Sequence, residues 1–345
     1  MSFNNCNTRT PTLTAAAPLT FAQDPCKLVY CNYPEQISTN LQYGLPLGDT
    51  NRGNHYLNLA TVSGDGQLFA SYQNQLSYAI YFGIQFYNPT GSTLTVTRQN
   101  NGFRAGSSSN EKPVVCGVWS DYFANPDGTV FSLPSGGVAW ILDRQIPAGY
   151  LFNAVVKFHT SGNLYCIPYL YYNKSMIDGS ATYYPWDGGQ SRVYRGYGDS
   201  YFIEASANVD IGASTTFLTS MCNAGNTNEI VSIREPSTGS LYSCGNGANL
   251  GNWGVQYLHT IYVTNSSDTE KTFYAYVGSD NVDSHGYAVI NLGGTVKDCS
   301  YGVGESWNWL TDSVPGHGAK TYQYQFIHPA QSAGKASHLW TPTHY

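Results

Sequence analysis

From residue 55 onward, apolar and polar positions alternate with a period of two. The clearest run is Leu76–Tyr87: Tyr78, Ile80, Phe82, Ile84 and Phe86 fall on one side, with Ala79, Tyr81, Gly83, Gln85 and Tyr87 on the other. Alternation of that length marks a strand with one face in a core. It stops at Asn88-Pro89-Thr90-Gly91-Ser92, where Pro fixes φ and Gly tolerates a positive one. Thr93–Arg98 then reads as the return strand of a hairpin. Further strands are expected at Val114–Trp119, Val138–Asp143, Leu151–His159 and Leu164–Tyr172, with Ile146-Pro147-Ala148-Gly149 as a turn among them.

Lys174–Arg192, containing Pro185-Trp186-Asp187-Gly188-Gly189, interrupts this pattern and reads as a domain junction. Strands resume at Tyr201–Ile211 and Thr215–Met221. A second hairpin is expected from Trp253–Val263 and Thr272–Gly278, joined through Asn265-Ser266-Ser267-Asp268. The two hairpins share a long aromatic strand, an Asn-led turn and a Thr-bearing return, which makes a weak internal repeat. No stretch of ten or more residues combines helical periodicity with caps. Residues 1–54 show neither period. The expected fold is therefore all-β: two antiparallel β-sandwich, jelly-roll-like domains over 55–180 and 190–345, preceded by an extended N-terminal arm over 1–54.

Composition narrows the function classes. Charged residues make up only 11% of the chain and the formal net charge is −6. No basic surplus exists to neutralise phosphates, so no nucleic-acid partner is expected. Aromatic residues reach 14%, with 29 tyrosines, which argues against disorder. No run of 18 apolar residues occurs, so no membrane-spanning helix is expected. The first twenty residues lack the apolar core of a secretory leader.

Catalytic signatures are absent: there is no H-E-x-x-H, no phosphate-binding G-x-x-x-x-G-K-[ST] and no G-x-S-x-G. No cofactor, metal site or enzymatic activity is expected. His259 lies in register with Tyr257, Ile261 and Val263 and reads as a core histidine. His338 and His344 flank Trp340 in what reads as a solvated tail. Asp280-Asn281-Val282-Asp283 and the group Asp121, Asn125 and Asp127 offer oxygen ligands for calcium, but they miss the EF-hand spacing and fit Asx turns. Trp186, Trp253, Trp307 and Trp309, in or beside loops, are candidates for stacking on glycans, against the plainer reading as core or subunit-contact residues.

Eight cysteines occur with no C-x-x-C pair, which favours disulfides over buried free thiols and both over a metal site. Cys222 and Cys244 bracket a strand pair and are the expected intradomain bridge. Cys6, Cys26 and Cys31 lie in the arm. Leu28, Val29 and Tyr30, between Cys26 and Cys31, would add a strand to a neighbour's sheet edge, with a cysteine locking the joint; the alternative is an arm folded back on its own domain with all three cysteines paired internally.

The segments Tyr78–Arg98, Ile146–Gly149 and Gly254–Val277 resemble the two-part β ectodomain of Gram-positive surface proteins, the kind found with copper-amine-oxidase-like stalk modules. No topaquinone-type motif accompanies them, so the resemblance implies a surface location and no oxidase activity. The cysteine-bearing, Asn/Thr-rich arm is similar to that of endospore-appendage pilins. Together these features lead to a non-enzymatic, self-assembling subunit of an extracellular filament or surface layer. Its partner would be its own copies, joined through the arm, at the cell or spore surface. The alternative is an adhesin or carbohydrate-binding surface protein using loop aromatics.

Overall fold

The structure is a computed structural model. It describes residues 20–23, 27–32, 35–37, 54–171, 182–183, 195–214, 216–221, 232–234, 247–249, 251–278, 285–332 and 336–345. The chain divides into two compact units. One comprises Pro25–Tyr201 with Val231–Asn249, here the N-terminal unit. The other comprises Met1–Asp24, Phe202–Ile230 and Leu250–Tyr345, the C-terminal unit.

The N-terminal unit is a two-layered sandwich. One layer runs in the order β12 (Arg195–Gly198), β2 (Lys27–Cys31), β5 (Ala60–Asn74), β10 (Tyr150–Tyr171), β7 (Leu94–Ser107) and β8 (Val130–Leu133). Short strands extend it: β3 (Gln36–Ile37) beside β5, and β15 (Ser232–Arg234) with β16 (Gly247–Ala248) beyond β12. The second layer contains β11 (Thr182–Tyr183), β4 (Asn54–Tyr56), the C-terminal part of β10, β6 (Ile80–Tyr87) and β9 (Val138–Ile146). The register of β10 against β5 shifts between Thr160 and Leu164, and this irregularity lets one strand serve both layers. Ile80, Phe82, Ile84 and Phe86 are fully buried in the core between them, as their alternation predicts.

The C-terminal unit repeats this plan more completely. One sheet runs β1 (Thr20–Gln23), β13 (Phe202–Asp210), β17 (Gln256–Thr264), β22 (Ala319–Ile327), β19 (His285–Leu292) and β20 (Thr295–Gly302). The other runs β14 (Phe217–Met221), β23 (Ala336–Thr341), β18 (Lys271–Gly278) and β21 (Ser306–Val314). This is the strand order of a jelly roll, with β13 and β1 added at one edge.

Both expected hairpins are in fact corners. β6 pairs with β9 and β10, whereas β7 pairs with β10 and β8; β17 likewise pairs with β13 and β22, whereas β18 pairs with β21 and β23. Each two-strand segment crosses from one layer to the other, which turns both apolar faces inward. An asparagine side chain supplies the hydrogen bonds that a hairpin ladder would have made. Asn88 Nδ2 donates to the carbonyls of Ser92, Leu133 and Pro134 at 2.7, 2.8 and 3.0 Å. Asn265 Nδ2 donates to Thr269, Val314 and Pro315 at 2.8, 2.9 and 3.1 Å.

The expected strand Val114–Trp119 is helical: α1 spans Lys112–Val115 and α2 spans Gly117–Ala124. Val114, Val115, Val118, Trp119 and Tyr122 recur at helical spacing and are buried. Gly102 of β7 admits the helix, because a Cβ there would lie 2.0 Å from the Val118 carbonyl oxygen.

Residues 27–32 and 35–37 also depart from the expected arm. β2 lies between β5 and β12 of its own unit, and Leu28, Val29, Tyr30 and Cys31 are at most 1% exposed. The run is too short to read locally, and it is buried on both faces with a strand on either side, so this segment belongs to the core of the N-terminal unit. The change of unit falls at Tyr201/Phe202, and residues 231–249 return to the N-terminal unit.

Candidate binding face

The outer face of the second layer of the N-terminal unit carries an aromatic coat. Strand register arranges it in rows: Val138, Tyr87, Tyr165 and Thr61; then Trp140, Gln85 and Ile167; then Asp143, Gly83, Tyr169 and Tyr56; then Gln145, Tyr81 and Tyr171. All stand on the side opposite the core residues of β6, as the two-residue period requires. Tyr169, Tyr171 and Ile167 are the buried floor, while Tyr56, Tyr81, Tyr87, Trp140 and Tyr165 are half-buried and Val138 is exposed.

Two aromatic patches result. Tyr87 and Tyr165 pair at 5.9 Å at one end. At the other, Tyr81 stacks on Tyr171 at 5.4 Å with an interplanar angle of 11°, and Trp140 leans on Tyr169 and Tyr171 at 5.7 and 5.8 Å. Tyr56 meets Tyr169 edge-on at 6.4 Å. Gly83 makes the second patch possible: a Cβ there would fall 2.5 Å from Cζ3 of Trp140 and 3.0 Å from Cε1 of Tyr171. The indole occupies the space that a side chain would have filled.

Asp143 holds the floor in place by accepting a hydrogen bond from the Tyr171 hydroxyl. Burial, and then that carboxylate, push the Tyr171 phenol above its ordinary range. Burial also raises Tyr169, with Tyr56 beside it. These phenols are neutral at physiological pH, and Asp143 is the one acidic or basic side chain in the four rows.

The corresponding face of the C-terminal unit shows that the fold does not require this coat. Counting back from the corner asparagines, β6 presents Tyr87, Gln85, Gly83 and Tyr81, whereas β17 presents Thr264, Tyr262, Thr260 and Leu258. The neighbouring β22 adds Thr321, Gln323 and Gln325, with Asn291 Nδ2 donating to Gln325 Oε1 at 2.9 Å. The same position in the same architecture thus carries mainly hydroxyl and amide groups, with Leu258 and the exposed Tyr262 as its apolar members.

The expected glycan-stacking residues are placed elsewhere. Trp309 is 2% exposed and packs on Tyr324 at 4.6 Å and Trp340 at 5.7 Å, so it belongs to the core and presents no face to a ligand. Trp307 is half-buried on β21 opposite Val277. Trp253 is half-buried before β17, its ring so close to Gly251 that a Cβ there would lie 2.4 Å from it. Trp186 lies outside the described residues, as do Cys6, Cys26, Cys222, Cys244 and the Asp280–Asp283 loop. The described cysteines Cys31, Cys116, Cys166 and Cys299 are buried and form no disulfide with one another. Asp121 and Asp127 are taken up by Arg104 and Arg98, and Asp127 also accepts from Thr129 and Asn101, which fits the Asx-turn reading.

The C-terminal unit holds a polar cluster inside its core. His259 Nδ1 and the Tyr324 hydroxyl lie 2.9 Å apart, and the same hydroxyl is 3.4 Å from His338 Nδ1. The two imidazoles meet edge-to-face at 5.1 Å, and their Nε2 atoms have no hydrogen-bond partner. His259 is the core histidine its register predicts. His338 is not in a solvated tail: β23 inserts it between β14 and β18, and it is 1% exposed. His344 is exposed and meets Tyr274 at 4.6 Å. Among the described residues, no group of three or more His, Cys, Asp or Glu is arranged to hold a metal ion. No helix among them is long and apolar enough to cross a membrane.

No protein-family model matches the chain, and no curated protein matches it. Among solved structures, the chain is similar to the CBM22-1–CBM22-2 tandem domain of Xyn10C from Paenibacillus barcinonensis, with 9% identity over 86% of this chain and 88% of that one and a TM-score of 0.15. It is also similar to the M60 catalytic domain with CBM51-1 and CBM51-2 of Clostridium perfringens ZmpB (9% identity, 96% and 38% coverage, TM-score 0.16). A Paenibacillus xanthan lyase gives 10% identity, 97% and 27% coverage and a TM-score of 0.19. The chain spans well under half of the latter two.

Proposed function

We propose that the aromatic face of the N-terminal unit binds carbohydrate and that the protein is a non-enzymatic glycan-binding protein of an extracellular or cell-surface location. One observation carries the reading: at equivalent positions of two jelly rolls, only one is coated with tyrosine and tryptophan. A coat that the architecture does not need, on a solvent-facing sheet, calls for a partner. Tyrosine and tryptophan present an apolar ring with a polar tip. A sugar ring matches this, with C–H groups on its faces and hydroxyls around its edge.

The filament reading loses the strand it depended on. Leu28–Cys31 is already paired on both sides within its own sheet, so it has no free edge to lend a neighbour. Self-association would instead have to use the aromatic face, where tyrosine and tryptophan are also favoured in protein interfaces.

Affinity electrophoresis through gels containing soluble polysaccharides tests the proposal, alongside sedimentation velocity of the protein alone. Retardation by a polysaccharide that is lost in Trp140→Ala, with the protein monomeric throughout, is the expected result. A protein that ignores every polysaccharide but dimerises until Trp140 is replaced would transfer the face to self-assembly and overturn the proposal.

A further inference from the structure

Building on the carbohydrate reading, we infer that this face takes an extended, uncharged polysaccharide chain laid across both aromatic patches, rather than a single sugar or an acidic glycan. Two features of the face lead there. The first is spacing. Tyr165 and Tyr171 stand on the same strand, separated by three two-residue steps of register. At a rise of about 3.3 Å per residue, Tyr169 at the near edge of the second patch lies about 13 Å from Tyr165, and Tyr171 about 20 Å. Between them lie Ile167 and Gln85, a low stretch with an apolar floor and one amide. A mono- or disaccharide reaches one patch only. A longer chain covers both and gains the second set of ring contacts without a second association event, as linked sites do.

The second feature is charge. The four rows contain no lysine or arginine, and the single carboxylate, Asp143, is engaged by the Tyr171 hydroxyl in the floor. A uronate or sulfate on the ligand would find no cation to pair with and would lose hydration against apolar rings. A neutral chain loses nothing comparable. Its hydroxyls can be met by the tyrosine tips and by Gln85 and Gln145, while its C–H faces lie on Trp140, Tyr81, Tyr87 and Tyr165.

The test is isothermal titration calorimetry on the full chain with neutral β-1,4-linked glucan, xylan and mannan oligosaccharides of increasing length, and with polygalacturonate as the acidic probe. The expected result is affinity that rises about tenfold or more from disaccharide to long oligosaccharide, a change of about 1.4 kcal/mol or more. Polygalacturonate should bind more weakly than the best neutral chain. The double variant Tyr87→Ala/Tyr165→Ala should lose the length-dependent gain, so that its long and short ligands bind within about twofold of each other. Each variant is first compared with the parent by near-ultraviolet circular dichroism and thermal melting, so that a misfolded protein is not read as a loss of binding. Length-independent binding, a preference for polygalacturonate, or an unchanged length dependence in the double variant would each overturn the inference and leave the carbohydrate reading standing. Absence of binding to every probe would remove both.

Discussion

Asn88 and Asn265 hold equivalent corners of the two units with the same set of bonds. Each amide nitrogen reaches the carbonyl four residues on and two successive carbonyls of a distant aliphatic-Pro turn, Leu133-Pro134 in one case and Val314-Pro315 in the other. Each amide oxygen accepts from the backbone N–H and the side-chain hydroxyl two residues on, at Thr90 and Ser267 respectively. Asn74 makes a third version, donating to Tyr78, Ile146 and Pro147.

Removing a corner amide leaves buried carbonyls without donors, and each such loss costs roughly 1–3 kcal/mol. Asn88→Ala should therefore destabilise the N-terminal unit by about 3 kcal/mol, and Asn265→Ala the C-terminal unit by a similar amount. Urea unfolding checks this. A loss under about 0.5 kcal/mol, the usual range for a surface substitution, would show that the corners do not depend on these amides.

Gly83→Ala places a methyl group where the Trp140 ring lies. Overpacking of this kind costs typically about 1–3 kcal/mol. The expected outcome is a lowered melting temperature, an altered tryptophan signal in near-ultraviolet circular dichroism and weakened polysaccharide retardation. Unchanged spectra together with unchanged retardation would contradict the packing described here.

Burial holds His259 neutral, lowering its pKa to about 3. Burial also lowers His338, with further contributions from the positive charge that His259 and His328 would carry if protonated. The unfolded chain takes up these protons near pH 6.5 and the folded one does not, so folding is most favoured above that pH. Stability of the C-terminal unit should then fall as pH drops from about 6.5 towards 3, by up to about 1.4 kcal/mol per pH unit for each histidine. Urea unfolding followed by tryptophan fluorescence across this range measures the slope. His259→Phe, which keeps a ring of similar size in the aromatic core, should flatten it; an unaltered slope in that variant would assign the acid sensitivity to other groups.

Cys31 is pushed up to about 12 by burial, and Cys166 is raised well above its ordinary value for the same reason. Neither thiol forms thiolate at neutral pH, and both lie in the core of the N-terminal unit. A thiol-reactive reagent should leave Cys31 and Cys166 unmodified in native protein and label them after denaturation, read by peptide mass spectrometry. Rapid labelling of either in the native state would contradict the placement of β2 and β10.

Local pattern was enough for the all-β class and for which side of a strand enters the core. The alternation in β6 sorts Ile80, Phe82, Ile84 and Phe86 from Tyr81, Gln85 and Tyr87 without reference to any other strand, because the two-residue period is a property of one extended backbone. The same reasoning placed His259 inside, and it reached the Asn-led turns as a repeated feature. It did not reach what those turns join. A strand's alternation is the same whether its neighbour in sequence lies beside it or in the opposite layer, and the carbonyls that decide the matter at Asn88 come from Leu133, 45 residues on. The short apolar run Leu28–Cys31 reads as an arm until β5 and β12 flank it, since burial of so few residues depends on strands far away in the chain. The helical state of 117–124 is settled by Gly102, which opens room for the α2 backbone against β7. The aromatic face is the same case in its sharpest form: Tyr56, Tyr87, Trp140 and Tyr171 are unremarkable one at a time. Only the lateral register of four strands, set by hydrogen bonds between segments distant in sequence, brings their rings onto one surface.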